Sequence, residues 1–226
     1  MLRQMLPGAL IAGAAAGIVA ALLHIVFVTP SLMEAELFET GARVHFADGT
    51  IGSPAGSPAL GPDWGRHLGT LGFDIITFAG FGLMLTALYA LAEMRGARIS
   101  GRTGLIWGLA GFVALHLAPA FGLPPEPPGI EAADLAARQL WWTGTVAASA
   151  VGLGLIAFGP APWAPVAGIA LLAAPHLVGA PHLPDYSGVV PPELAARFAT
   201  LSLGAAAASW AVLGWLAALV YTRKEA

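Results

Sequence analysis

Six stretches of this chain, at about 6–28, 68–92, 103–121, 139–158, 163–178 and 198–221, are almost continuously apolar. A hydrocarbon layer about 30 Å thick takes roughly 20 such residues as a helix, because backbone N–H and C=O groups find no water there and must bond one another. The sequence therefore predicts an all-α, polytopic membrane helix bundle of about six spans. Composition agrees: 57% of the residues are hydrophobic and 10% charged, where a soluble domain carries roughly 25% charge. The fifth stretch is short and bracketed by Pro162, Pro165 and Pro175, so it is counted as a span that is tilted, kinked or partly re-entrant. The first is too long for the core of a secretory leader and runs into bulky VFVTPSL, so it is expected to be retained.

Charge narrows the partners. A net charge of −3 offers no basic face for nucleic acid, and membrane lipid is the first partner; self-association is compatible with the pattern. Zero cysteines leave imidazole, carboxylate and backbone oxygen as metal ligands. Arg3, Arg95, Arg98, Arg102, Arg223 and Lys224 alternate with the spans so that all fall on one side. That side is expected to be cytoplasmic, with both termini inside. The other side receives most of the acids, Glu34 among them, and all six histidines. His24, His116 and His176 fall near outer helix ends, His67 at the start of the second span, and His45 and His182 in loops. Imidazole is a leading transition-metal ligand and clustered carboxylates concentrate cations, so the distribution suits capture of a divalent ion. It also suits the ordinary chemistry of an extracytoplasmic loop.

An internal repeat sharpens the choice. HLAPAFGLPPEPPGIEAADLAARQLWWTG, from His116, aligns with HLVGAPHLPDYSGVVPPELAARFATLSLG, from His176; each gives a histidine, a Pro-rich loop and LAAR. A fainter copy has His24, then Thr29 and Pro30, a long insertion, and Asp63 to Arg66. The expected architecture is one membrane domain over 1–226 built as three tandem helical hairpins, about 1–92, 103–158 and 163–221, with an extracytoplasmic loop over about 29–66. Repeats of one orientation imply an axis along the bilayer normal, and transporters often place substrate where repeats meet. Closed as a ring, the hairpins would bring His24, His116 and His176 to one outer mouth as a three-nitrogen site; paired two-plus-one, they would not. Pro175 and Pro181 stop or kink the fifth helix and set His176 and His182 on the lip of its hairpin.

The remaining polar residues divide by chemistry. Asp134 with Arg138 and Glu193 with Arg197 are spaced i,i+4 with the acid leading, which reads as intrahelical pairing. Asp74 lies about seven residues inside the second span, where a carboxylate is costly unless hydrated, paired or protonated. His67, Thr70 and Asp74 share one helical face, which suits either an inward ion path or a buried hydrogen bond to another helix. Gly13 and Gly17, like Gly104 and Gly108, have the four-residue spacing that lets membrane helices approach. No H-E-x-x-H or G-x-S-x-G occurs, and the only lysine, Lys224, follows the last span, so neither an enzyme nor a nucleotide-hydrolysing loop is expected.

At VFVTPSLMEAE, HLAPAFGLPPEPPGIEAADLAARQLWW and PHLVGAPHLPDYSGVVPPELAARF the chain resembles the CbtA family of predicted cobalt transporter subunits, over nearly its whole length. The resemblance implies Co2+ as the transported ion, about five spans, with 163–178 the segment in question, and a small single-span, histidine-bearing partner, CbtB. Residues and resemblance together predict a divalent-metal permease subunit without a prosthetic group. Its capture site draws on His24, His116, His176, His182, His67, Asp74 and Glu34. Ni2+ or Zn2+ would satisfy the same ligands. The competing readings are a membrane scaffold or metal sensor, and a membrane metalloenzyme.

Overall fold

The computed structural model describes residues 2–45, 52–185 and 187–223, with side chains from Leu6 onward. Asp48 and Lys224, and the side chain of Arg3, therefore lie outside the described residues. Helices account for most of what is described: α1 (Leu2–Leu23), a π-helical turn (His24–Val28), α2 (Thr29–Glu39), α3 (Trp64–Glu93), α4 (Gly101–Phe112), a second π-helical turn (Val113–Leu117), α5 (Ala118–Ala120), α6 (Leu135–Phe158), α7 (Ala164–Val178) and α8 (Pro192–Thr222). Among the described residues the only β-pairing is an isolated bridge between Ile130 and Gly188.

Among the described residues five helices are long and apolar enough to cross a membrane: Leu6–Glu39, Trp64–Glu93, Gly101–Ala120, Leu135–Phe158 and Pro192–Thr222. The sixth apolar helix, α7 (Ala164–Val178), is shorter than these. α7 has 15 residues, and at about 1.5 Å per residue it is roughly 22 Å long, short of a hydrocarbon layer about 30 Å thick. Glycine limits it at its far end, where Gly179 takes φ 86° and its N–H bonds the Pro175 carbonyl at 3.0 Å.

The chain divides into two compact units. One comprises Met1–Thr29, Leu60–Phe112 and Gly204–Ala226. Its α1 and α3 touch backbone to backbone: a Cβ on Gly13 would lie 2.5 Å from Ala79 Cα, and one on Gly17 2.6 Å from Ile75 Cα and 2.7 Å from the Asp74 carbonyl oxygen. Its α4 and α8 meet the same way, with Gly108 and Gly104 against Gly214. Small residues are what dispersion can use in lipid, where burial of apolar surface gains nothing over lipid contact. Trp210, fully buried, packs against Phe81 with ring centroids 4.6 Å apart.

The other unit comprises Pro30–Ala59 and Val113–Leu203. α7 returns antiparallel along α6, with Gly152 against Gly168 and the Trp141 indole donating to the Pro175 carbonyl at 3.1 Å. Loops from all three sequence copies meet over a small core of Ala35, Phe38, Val190 and Leu194, with Ile130 packed on it. Asp134 caps α6 by accepting the Ala137 N–H at 2.9 Å, and Arg138 instead pairs with Glu126 at 2.7 Å. The i,i+4 pairing expected of Asp134 and Arg138 gives way because the carboxylate serves the free N–H groups of the first turn. The same device starts α3 in the first unit, where the Arg66 N–H and then its guanidinium hold the Asp63 carboxyl below its usual range.

Candidate functional site

In the first unit a part-buried polar contact joins His24 and Asp74. Nδ1 of His24 lies 2.8 Å from Oδ2 of Asp74; the carboxylate side chain is 6% exposed and the imidazole 33%. The backbones explain how residues so far apart along the chain meet. Glycine contacts set an antiparallel register in which Gly17 lies level with Asp74, so His24 starts about two turns beyond it. Side chains tilt toward the N-terminus of their own helix. In an antiparallel pair the two tilts point at one another, and His24 and Asp74 close the gap from both ends. Ala20 and Ala21, 1% and 0% exposed, leave the level between them free of bulk.

His24 also opens the first π-helical turn, and the cause lies a few residues further along the sequence. Pro30 has no N–H and its ring crowds the carbonyl a turn before it. The helix widens instead: the Thr29 N–H reaches back five residues to the His24 carbonyl, which also accepts from Thr29 Oγ1 at 3.0 Å. Val113–Leu117, carrying His116, widens in the same position relative to Pro119. A carboxylate accepting from Nδ1 fixes the imidazole tautomer and leaves the Nε2 lone pair for a metal ion, the usual arrangement of a metal-binding histidine and its orienting carboxylate.

The other predicted ligands are placed as follows. His67, on the first turns of α3, has Nε2 3.4 Å from the Gly61 carbonyl and its ring edge-on to Trp64; its Nδ1 is buried and makes no hydrogen bond. In the second unit His116 is half-buried. His176 lies at the end of α7, its ring edge-on to Phe121 and Trp141 at 5.9 Å each, and His182 is exposed in the stretch that follows. Glu34 is buried, at 4% exposure, but its oxygens are taken: the Gly56 N–H donates at 2.7 Å, Ser57 Oγ at 3.1 Å and Arg43 at 3.4 Å. It pins the long loop to α2, and a metal there would have to displace three donors. Among the described residues no three His, Asp or Glu side chains gather in metal-binding geometry.

The partnership of His24 with Asp74 is what residue-by-residue reading misses, since it groups His24 with the other helix-end histidines and Asp74 with His67. The glycine spacing holds the signal, because it fixes the register of the two helices.

A family model described as "Probable cobalt transporter subunit (CbtA)" matches residues 2–222. No curated protein and no solved structure matches the chain.

Proposed function

This chain belongs to the CbtA family of probable cobalt transporter subunits, and from that premise we propose that His24 and Asp74 form the ion-binding centre of a divalent-cation permease subunit. The observation that carries the reading is the 2.8 Å contact between His24 Nδ1 and a carboxylate buried in a spanning helix. A buried carboxylate is costly in a membrane and is retained where ions or protons pass. His24 Nε2 binds the cation; Asp74 holds the ring and balances the added charge. His176 and His182, with His116 and His67, take hydrated ions from the acidic outer face and raise their local concentration.

Co2+ follows from the family, and imidazole accepts Ni2+ and Zn2+ on the same chemistry. In this reading the protein sits in a bacterial inner membrane with the arginine-bearing ends inside, all of 1–226 forming one membrane domain. α7 and the extended residues after it complete the return of the third hairpin. As a subunit it works with a second chain, a small single-span CbtB-like protein. The test is influx of radioactive Co2+ into cells carrying the chain and that small subunit, at equal protein level. H24A and D74N are expected to abolish saturable uptake. Wild-type uptake in both variants overturns the site, and accumulation equal to that of cells lacking the chain favours the sensor or scaffold reading.

A further inference from the structure

α3 carries a second polar stripe that the ion-binding centre does not use. Thr86, Tyr89 and Glu93 are spaced i, i+3, i+7, so they share a face, and they begin about 18 Å beyond Asp74 along the helix at 1.5 Å per residue. The buried run between the two stripes is apolar: Phe78 and Leu85 at 6% and 2% exposure, with the Phe78 ring against Phe81 at 5.7 Å and Trp210 at 6.3 Å. Past this aromatic plug, oxygen returns. Tyr89 is fully buried and its hydroxyl donates to the Gly214 carbonyl at 2.9 Å. Tyr221 donates to Glu93 Oε2 at 2.5 Å, its ring edge-on to that of Tyr89 at 5.8 Å. Thr86 is 6% exposed and its Oγ1 makes no hydrogen bond. That hydroxyl is the anomaly. A threonine in a membrane helix normally bonds the carbonyl four residues back, as Thr145 does with Trp141, and a buried hydroxyl without a partner is disfavoured.

We propose that Thr86, Tyr89 and Glu93 form a second, all-oxygen station for a divalent cation at the far end of α3, separated from His24 and Asp74 by a plug of Phe78, Phe81 and Trp210. The inference rests on the transport reading above and adds the exit to it. Its logic is ligand chemistry. An imidazole nitrogen holds a late first-row dication more tightly than hydroxyl and carboxylate oxygens do, so an ion passed from His24 to this stripe is held less firmly and leaves. The apolar rings between the stations exclude water and ions until they part, as hydrophobic constrictions do in channels. Glu93 supplies the one negative charge, at the half-buried end where the ion is released; Tyr221 holds that carboxylate when no ion is present.

T86V and E93Q separate this from a merely structural role. T86V swaps a partnerless hydroxyl for a methyl of the same shape, so it leaves protein level and thermal stability at or above wild type. In vesicles containing the full-length chain and its small subunit, both variants are expected to lower the maximal rate of Co2+ influx about five-fold to ten-fold with KM within about two-fold, the signature of a step after capture. H24A and D74N in the same vesicles act on capture. If wild type carries Co2+ and T86V and E93Q match its maximal rate, the oxygen station is wrong and the transport reading stands. If the variants lose influx only in step with lost protein, the stripe is structural and the proposal falls. If wild type carries no Co2+, both readings fall together.

Discussion

His24 and His176 occupy matching places in the sequence repeat and end in different chemistry. His24 lies in a spanning helix, in a widened turn, with a buried carboxylate 2.8 Å from its ring. His176 stands at the end of a 15-residue helix, touched by the edges of Phe121 and Trp141. The difference comes from the second helix of each hairpin. Asp74 follows Arg66 by eight residues; the same step from Arg138 lands on Val146 and from Arg197 on Ala205, neither of which can accept a proton or orient a ring. Packing separates the first hairpin from the middle one, whose second helix is α6. α1 and α3 touch at Gly13, Gly17 and Gly82, whereas Gly144 and Gly154 of α6 have nothing within 4 Å of a would-be Cβ. Within its apolar stretch α6 is 17% buried, against 33% for α3. A buried carboxylate beside the ring distinguishes the first of the matching sequence segments.

The most direct way to break that comparison is to remove each histidine. At equal protein level H24A should lower Co2+ uptake by on the order of ten-fold or more and H176A by no more than about three-fold; equal losses would make the two sites equivalent after all. Stability should separate them next. H24A strands a buried carboxylate and is expected to cost about 2 kcal/mol. Adding D74N recovers part of that loss, measured as thermal unfolding in detergent, and a double variant no more stable than H24A would deny the coupling. Packing gives a third contrast: G17A drives a methyl into the α3 backbone and should cost on the order of 1–3 kcal/mol, while G154A stays within about 0.5 kcal/mol of wild type. The smallest effect is expected from D134A, which removes a helix cap worth about 1 kcal/mol and should leave Co2+ uptake unchanged; a transport defect there would show that the start of α6 acts in transport beyond its stability.

Much of this was legible in the residues. Apolar runs of spanning length fix helices because lipid offers the backbone no other bonding partner, and that reasoning located all six rods. Apolarity marks 163–178 as lipid-compatible, and the structure adds that its helix is shorter than the other five. Asp74 stood out by depth alone. Its contact with His24 did not, because it depends on the tilt of two side chains across an antiparallel pair whose register is set by glycine contacts. Glu34 illustrates the same boundary: an acid near histidines resembles a ligand until the folded loop delivers Gly56, Ser57 and Arg43 to its oxygens.

The sequence by itself determined the helices, their membrane setting and the duplication, each a property of consecutive residues and of the solvent they tolerate. Only the tertiary structure decided which polar groups became partners. A hydrogen bond between helices needs heavy atoms within about 3 Å, and only the packed backbones bring His24 and Asp74 that close.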